Sequence, residues 1–336
     1  MTQSTLPSIA ESIFFNAPVD ENVVDFVPAS FAQYIGQEAL IERLVVYTQA
    51  ALQRKEALDH VLLFGPPGLG KTTLAQIIAH EMGAQLKISS GPVLQKSGDV
   101  VAILSSLQAK DVLFIDEIHR LPIAVEETLY SAMEQFKIDV IIGQGVGAKT
   151  LTLPLQPFTL IGATTKTGLL SAPLRSRFGI IEKFDFYTDL ALSCIVQQSA
   201  HFFGISLSKE AALRIAACSR GTPRLAKKLM RRIRDYVQIN HAGQAAETSV
   251  QEALTFFGVL HEGLTYVDLA LLRALYQRPH FAPLGLEALA ALVGEDAETL
   301  EDVYEPFLIN RGYIERTPRG RIISPKRAMD VGRLLQ

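Results

Sequence analysis

The stretch Gly65-Pro66-Pro67-Gly68-Leu69-Gly70-Lys71-Thr72, directly behind the apolar run Val61-Leu62-Leu63-Phe64, narrows the folds open to this chain more than any other. It fills every fixed position of the G-x-x-x-x-G-K-[ST] phosphate-binding loop, with the strand before it and the helix after it that the motif needs. Gly65, Gly68 and Gly70 permit torsions and close approaches that a Cβ would forbid, so successive N–H groups can surround a polyphosphate. The helix beginning near Lys71 adds unpaired donors and the positive end of its dipole. Lys71 is expected to reach the β- and γ-phosphates, Thr72 to ligate Mg²⁺ through its hydroxyl, and Thr73 to add a phosphate contact. ATP and Mg²⁺ are thus the expected cofactors; the bland alternative is a Gly/Pro turn between a strand and a helix.

A chain of 336 residues, 48% hydrophobic and 20% charged, has room for two or three globular domains. A formal net charge of −3 gives no general attraction to nucleic acid, so any such binding must come from local patches. No Lys or Arg precedes Arg43, which leaves neither the basic region of a signal peptide nor the Arg-rich face of a transit peptide. No apolar stretch approaches the ~20 residues of a membrane span. The expected location is cytoplasmic. Cys194 and Cys218 lie among helix-patterned apolar residues, away from any CxxC spacing, and are expected to be two buried thiols.

Residues 1–24 lack sustained periodicity and read as a mobile tail. Phe26-Val27-Pro28 and an amphipathic helix over 38–54 follow, the former able to wall a nucleobase or simply to join the core. Beyond the loop, Asp111 to Glu117 is an unbroken apolar strand ending in two carboxylates, the pattern of a central parallel strand. Beside a phosphate loop, Asp116 would hold Mg²⁺ through water and Glu117 would deprotonate the attacking water. His119 has no second His or Cys nearby, so a solvated or supporting role outweighs that of a metal ligand. A helix over 123–136 leads to a hairpin, 137–153, around Gly143 to Gly147. Val140, Ile141, Ile142 and Val146 in it could form a partner surface or pack on their own domain. The next buried strand, Phe158 to Gly162, ends in Ala163-Thr164-Thr165, where a hydroxyl can sense a γ-phosphate. Ser171 to Phe178 reads as a capped short helix carrying Arg175 and Arg177.

From 188 to about 258 the pattern is helical throughout. Thr222 there reads as an N-cap and Pro223 as the first helical residue. Arg224 puts a cation at the positive end of a helix dipole, a local violation that suggests an anion site. Lys227, Lys228, Arg231, Arg232 and Arg234 read as the solvated face. From about Thr265, three helices and a hairpin spell a winged helix-turn-helix. From Arg311 onward there are seven basic residues against two acidic ones. Arg316, Arg319 and Arg321 at the hairpin tip suit phosphate contacts more than base reading; a polar protein-contact wing is the alternative.

Taken together the chain resembles the AAA+ ATPases and, within them, the RuvB family of Holliday-junction branch-migration motors. The resemblance runs from about Phe26 to the C-terminus. It is carried by GPPGLGKTT at 65–73, FIDEIHRL at 114–121, FTLIGATT at 158–165, LLSAPLRSRFG at 169–179, RGTPR at 220–224 and RTPRGR at 316–321. It implies an α/β ATPase domain with a parallel sheet over 25–187, a small helical lid over 188–260 and a winged helix over 261–336. It implies catalytic roles for Lys71, Asp116, Glu117, Arg177 (the arginine finger given to a neighbouring subunit) and Thr164 or Thr165. It implies nucleotide contacts from Phe26, Val27, Gly68, Gly70, Thr72, Thr73, Glu134, Gln135, Phe136, Tyr187 and Arg224, with Thr72 and Asp116 toward the metal. Arg316 and Arg321 would hold DNA, the 137–153 hairpin would meet RuvA, and a homohexamer would work with RuvC in recombination and repair. The family commonly has Arg where Val27 stands and a basic residue where Ala297 stands. A clamp-loader or initiator-like ATPase that does not translocate is the nearest competitor, against which the wing and hairpin argue. An inactive scaffold subunit would be expected to lack Lys71, Glu117 or Arg177.

Overall fold

The computed structural model describes residues 25–142 and 149–336. The expected tail at 1–24, and the hairpin tip with Val146, lie outside the described residues. Two compact units divide the chain, one over Val27–Asp185 and the other holding Phe186–Gln336 together with Asp25 and Phe26.

In the first unit, α1 (Glu38–Arg54) buries Leu40, Leu44, Thr48 and Ala51 along one stripe, the 3.6-residue pattern visible in its sequence. Then come β1 (Val61–Phe64), α2 (Lys71–Glu81), β2 (Leu86–Ser90), α3 (Ser97–Ser105), β3 (Val112–Asp116) and α4 (Ile123–Gln135). The antiparallel pair β4 (Lys137–Ile142) and β5 (Lys149–Pro154) precedes β6 (Thr159–Thr164), the one-turn α5 (Ala172–Arg175) and β7 (Ile180–Lys183). Val140 is half-buried and packs toward the core.

Five strands form a parallel sheet in the order β2-β3-β6-β1-β7. Since β6 is inserted between β1 and β3, with Phe64 opposite Thr164 and Ile115 opposite Gly162, the phosphate loop, the carboxylate pair and the Thr164-Thr165 run emerge side by side. Open α/β sheets bind ligands at this carboxyl edge. Leu62, Leu113, Ile115 and Leu160 from the sheet pack with Val125 and Leu129 of α4 and with Phe178. Each large apolar side chain fully buried here contributes roughly 1.5–3 kcal/mol to holding the sheet that builds the crevice.

The second unit opens with α6 (Asp189–Phe202), β8 (Ser206–Leu207), α7 (Lys209–Ala217), α8 (Pro223–Asn240), β9 (Gln244–Ala245) and α9 (Glu247–Phe256). The expectation of an all-helical segment is corrected by the parallel pairing of β8 with β9. Cys194 is exposed, against the expectation that both thiols are buried, because it falls between the buried positions of α6, Ser193 and Ile195. Cys218 is buried, and burial pushes its thiol up to about 11. The cationic face of α8 is not uniformly solvated either. Lys227 donates to the Phe26 carbonyl. Burial, with the repulsion of Arg232, Arg231 and Arg224, pushes Lys228 down to about 8.

The winged helix comprises α10 (Tyr266–Tyr276), α11 (Leu286–Val293), α12 (Ala297–Thr299), a π-helical stretch Leu300–Tyr304, α13 (Glu305–Asn310), β10 (Ile314–Thr317), β11 (Gly320–Ile323) and α14 (Ala328–Leu334). Leu271, Leu275, Leu289, Leu308, Tyr313 and Ile323 form its core. Among the described residues no helix is long and apolar enough to cross a membrane.

Candidate active site and nucleic-acid interface

The phosphate loop turns where only glycine fits. Gly65 has φ +146°, and a Cβ on it would lie 2.7 Å from the Phe184 carbonyl oxygen. The Lys71 ammonium, on a residue 8% exposed, donates to the Gly65 and Pro66 carbonyls at 2.8 Å each. It is therefore held against the loop that would receive phosphates. Thr72 is exposed and Thr73 half-buried at the start of α2. These groups fit a nucleotide polyphosphate.

At the end of β3, Glu117 takes the left-handed conformation, φ 47° and ψ 43°. For a residue with a Cβ this costs about 1–2 kcal/mol and persists only where neighbours enforce it. Its N–H donates to Asp116 Oδ1 at 2.9 Å, and its carboxylate pairs with Arg120 at 3.0 Å. Behind it Gly91 leaves room that a Cβ would take, at 2.4 Å from the Glu117 carbonyl oxygen. Sequence reasoning missed Gly91; its one signal was a glycine just past a strand that flanks the carboxylate strand.

Thr164 is buried, its hydroxyl bonded to His119 Nδ1 at 2.9 Å and accepting from the Lys166 N–H at 3.0 Å. Burial holds His119 below its ordinary pKa. His119 thus bonds a hydroxyl on the neighbouring strand. Among the described residues no group of three His, Cys, Asp or Glu could hold a metal. Thr165, the next residue, is exposed.

Arg177 follows α5, whose N-cap Ser171 accepts from the Leu174 N–H at 3.3 Å. Its guanidinium donates to the Pro173 carbonyl at 2.7 Å, pairs with Glu134 at 3.1 Å and lies 4.5 Å from the centre of the Tyr130 ring. Tyr130 in turn bonds Ser171 at 2.9 Å and Glu126 at 3.1 Å. Gln135 is exposed, while the Phe136 ring packs on His60 and Phe158. Val27 is exposed and Phe26 half-buried.

In the second unit Tyr187 is buried and its N–H donates to the Gly221 carbonyl at 2.9 Å. Arg224 is exposed on the first turn of α8. Thr222 occupies the N-cap, but its hydroxyl donates back to the Ser219 carbonyl at 3.3 Å and caps nothing.

The wing arginines differ from one another. Arg319 is exposed at the tip. Arg316 and Arg321 share the carboxylate of Glu305, whose side chain is 0% exposed, and both reach Glu301, at 3.3 and 3.5 Å. Arg321 is left with 14% of its side chain exposed, against 46% for Arg316. Glu301 and Glu305 went unremarked in the sequence, although two carboxylates four apart on a helix beside an Arg-rich hairpin are a readable signal.

A phosphate loop, a carboxylate pair and a hydroxyl-bearing strand end at one edge of this sheet, followed by a small helical domain and a winged helix, define an AAA+ P-loop ATPase. Family models of the Holliday junction DNA helicase RuvB P-loop domain, the RuvB AAA lid domain and the RuvB C-terminal winged helix domain match residues 26–184, 187–259 and 261–331. The chain belongs to the RuvB family. It is 52% identical over 298 residues to the Holliday junction branch migration complex subunit RuvB of Enterococcus faecalis, covering 89% of this chain and 88% of that one. The solved Thermotoga maritima RuvB Holliday junction branch migration motor superposes with TM-score 0.81 at 46% identity, over 91% of this chain and 98% of that one. A mutant of the same Thermotoga protein gives 0.83 at 46% identity, over 91% and 99%.

Proposed function

We infer that this chain is the ATP-hydrolysing motor of Holliday junction branch migration, a DNA translocase assembled as a homohexameric ring. One observation carries the reading. The strand order brings Lys71, Asp116, Glu117 and Thr165 to one crevice, in a chain that matches RuvB through all three domains.

The loop N–H groups, Lys71 and Thr73 bind the phosphates, with Gly68 and Gly70 allowing the approach. Thr72 and Asp116 are the residues to hold Mg²⁺, which would neutralise charge on the β- and γ-oxygens. Glu117 takes the proton of the attacking water. Thr165 orients that water or the γ-phosphate, while Thr164, tied to His119, fixes the strand end behind it. Phe26, Val27, Tyr187 and Arg224 are assigned as further nucleotide contacts, and Glu134, Gln135 and Phe136 as the segment beside the finger. Arg177 stabilises charge on a neighbouring subunit's γ-phosphate. Arg316, Arg319 and Arg321 track DNA phosphates without reading sequence. The 137–153 hairpin is the surface for RuvA, RuvC joins at the junction, and the assembly works in the cytoplasm in recombination and repair. Residues 25–187, 188–260 and 261–336 serve as motor, lid and DNA-binding domain.

The shared active site is tested by mixing Arg177→Ala subunits with Lys71→Ala subunits, each inactive alone. A finger supplied in trans contributes roughly 10³–10⁵ in rate. Interfaces that pair an intact Lys71 pocket with an intact Arg177 should therefore restore part of the ATPase. Mixed rings that stay as inactive as either parent at every ratio would refute the assignment of Arg177 to the neighbour's phosphate.

A further inference from the structure

Arg220 stands four residues before Arg224, in the left-handed conformation with φ 52°. Its guanidinium pairs with Asp268 at 3.0 Å, the two side chains being 6% and 0% exposed. It also lies 4.3 Å from the centre of the Phe307 ring and 5.5 Å from that of Tyr304. The other Asp268 oxygen accepts from the Thr265 N–H at 2.7 Å and the Thr265 hydroxyl at 2.8 Å, at the start of α10. This pair therefore joins the loop leading into α8 to the winged helix.

The same short segment also holds the wing. Glu301 and Glu305 bind Arg316 and Arg321, while Tyr304 and Phe307 meet Arg220. Positions 301 and 305, and 304 and 307, have the spacings that share a helix face. The segment begins as the π-helical stretch Leu300–Tyr304, a local irregularity frequent at functional sites. A second tie crosses nearby, where Arg311 pairs with Asp189 at 2.9 Å and donates to the Ala217 carbonyl at 3.2 Å. Burying an ion pair such as Arg220 with Asp268 adds little net stability over apolar residues of the same volume. What it adds is a fixed position.

We propose that Arg220 is a positioning residue that couples the nucleotide to the DNA. Through Phe307 and Tyr304 it ties the start of α8 to the carboxylates that set Arg316 and Arg321. The nucleotide state felt at Arg224 then alters how the wing presents its arginines to phosphate. The proposal rests on the reading of Arg224 as a nucleotide contact. Coupling of this kind is reciprocal, so DNA must change nucleotide affinity by the factor by which nucleotide changes DNA affinity.

The test measures the Kd of a slowly hydrolysed ATP analogue on assembled full-length rings, with and without saturating duplex DNA. The wild-type ratio of the two should lie between about 5 and 150. Arg220→Lys keeps a charge opposite Asp268 but loses the flat face on Phe307; Phe307→Leu removes that face from the other side. Each should leave both single-ligand affinities within about twofold while the ratio falls toward one. Conservation of the wild-type ratio in either folded variant would overturn the proposal, as would a wild-type ratio of one. A purely structural role would lower the melting temperature and leave the ratio alone. Arg224→Ala, read separately, decides the nucleotide contact: unchanged analogue affinity there removes that contact, whatever Arg220 does.

Discussion

Glu117 takes a conformation its own Cβ disfavours, with Asp116 bonded to its N–H, Arg120 paired with its carboxylate and Gly91 leaving room behind its carbonyl. A base in this position contributes to the chemical step and little to binding. Glu117→Gln should therefore reduce turnover by about 10²–10⁴-fold with ATP affinity unchanged. Stopped-flow binding beside steady-state turnover separates the two, and equal turnover in mutant and wild type would remove Glu117 as the base. His60 makes a different kind of contribution. The Leu160 N–H donates to its Nδ1 at 2.9 Å, so Nε2 carries the proton and donates to the Met133 carbonyl at 3.1 Å. The neutral ring satisfies both bonds, and burial holds its pKa below the ordinary 6.5. As pH falls below 6.5 the unfolded chain takes up the proton first, so stability is full above that value and is lost as pH drops toward the folded pKa. Urea midpoints from about pH 8 to pH 5 should fall more steeply for wild type than for His60→Gln. Parallel lines would show that His60 does not titrate on unfolding.

The helix over 38–54, the strand ending in Asp116-Glu117 and the wing hairpin were legible because each has one period or one motif over its whole length. Other elements were not. α3 went without a reading: it opens on Ser97-Gly98, poor helix formers, and the helix forms where Asp99 accepts from the Lys96 N–H at 2.9 Å while Val100 and Leu104 are buried. The two-residue strands β8 and β9 are too short to have a period, and half-buried Lys227 bonds the Phe26 carbonyl, far away in sequence. At the wing, the residue pattern groups Arg316, Arg319 and Arg321 at one tip, and packing separates them. Arg319 is exposed, so Arg319→Ala should lower the slope of log affinity against log salt by about one with little change in stability. Arg321→Ala should also destabilise the domain, by about 2 kcal/mol, because the buried Glu305 loses a charged partner and keeps only Arg316. Salt titration of duplex binding beside thermal melting reads both; equal effects of the two substitutions on melting would contradict the assigned difference.

For the chain as a whole, the site is divided among elements that sequence could name but could not assemble. Lys71, Asp116 and Thr165 converge because β6, buried at every position, lies between β1 and β3. Arg177 rests on Tyr130 and Glu134 of its own unit, a contact with no sequence signature. A motor of this family must hydrolyse ATP, grip DNA and move it, and a non-translocating ATPase would do only the first two. The most direct measurement is branch migration of a synthetic four-way junction by the purified chain with RuvA, Mg²⁺ and ATP. The account predicts ATP-dependent conversion of the junction to duplex products, abolished by Lys71→Ala and by Glu117→Gln while ring assembly persists. Rings that assemble on the junction and hydrolyse ATP but leave it unmigrated would contradict it.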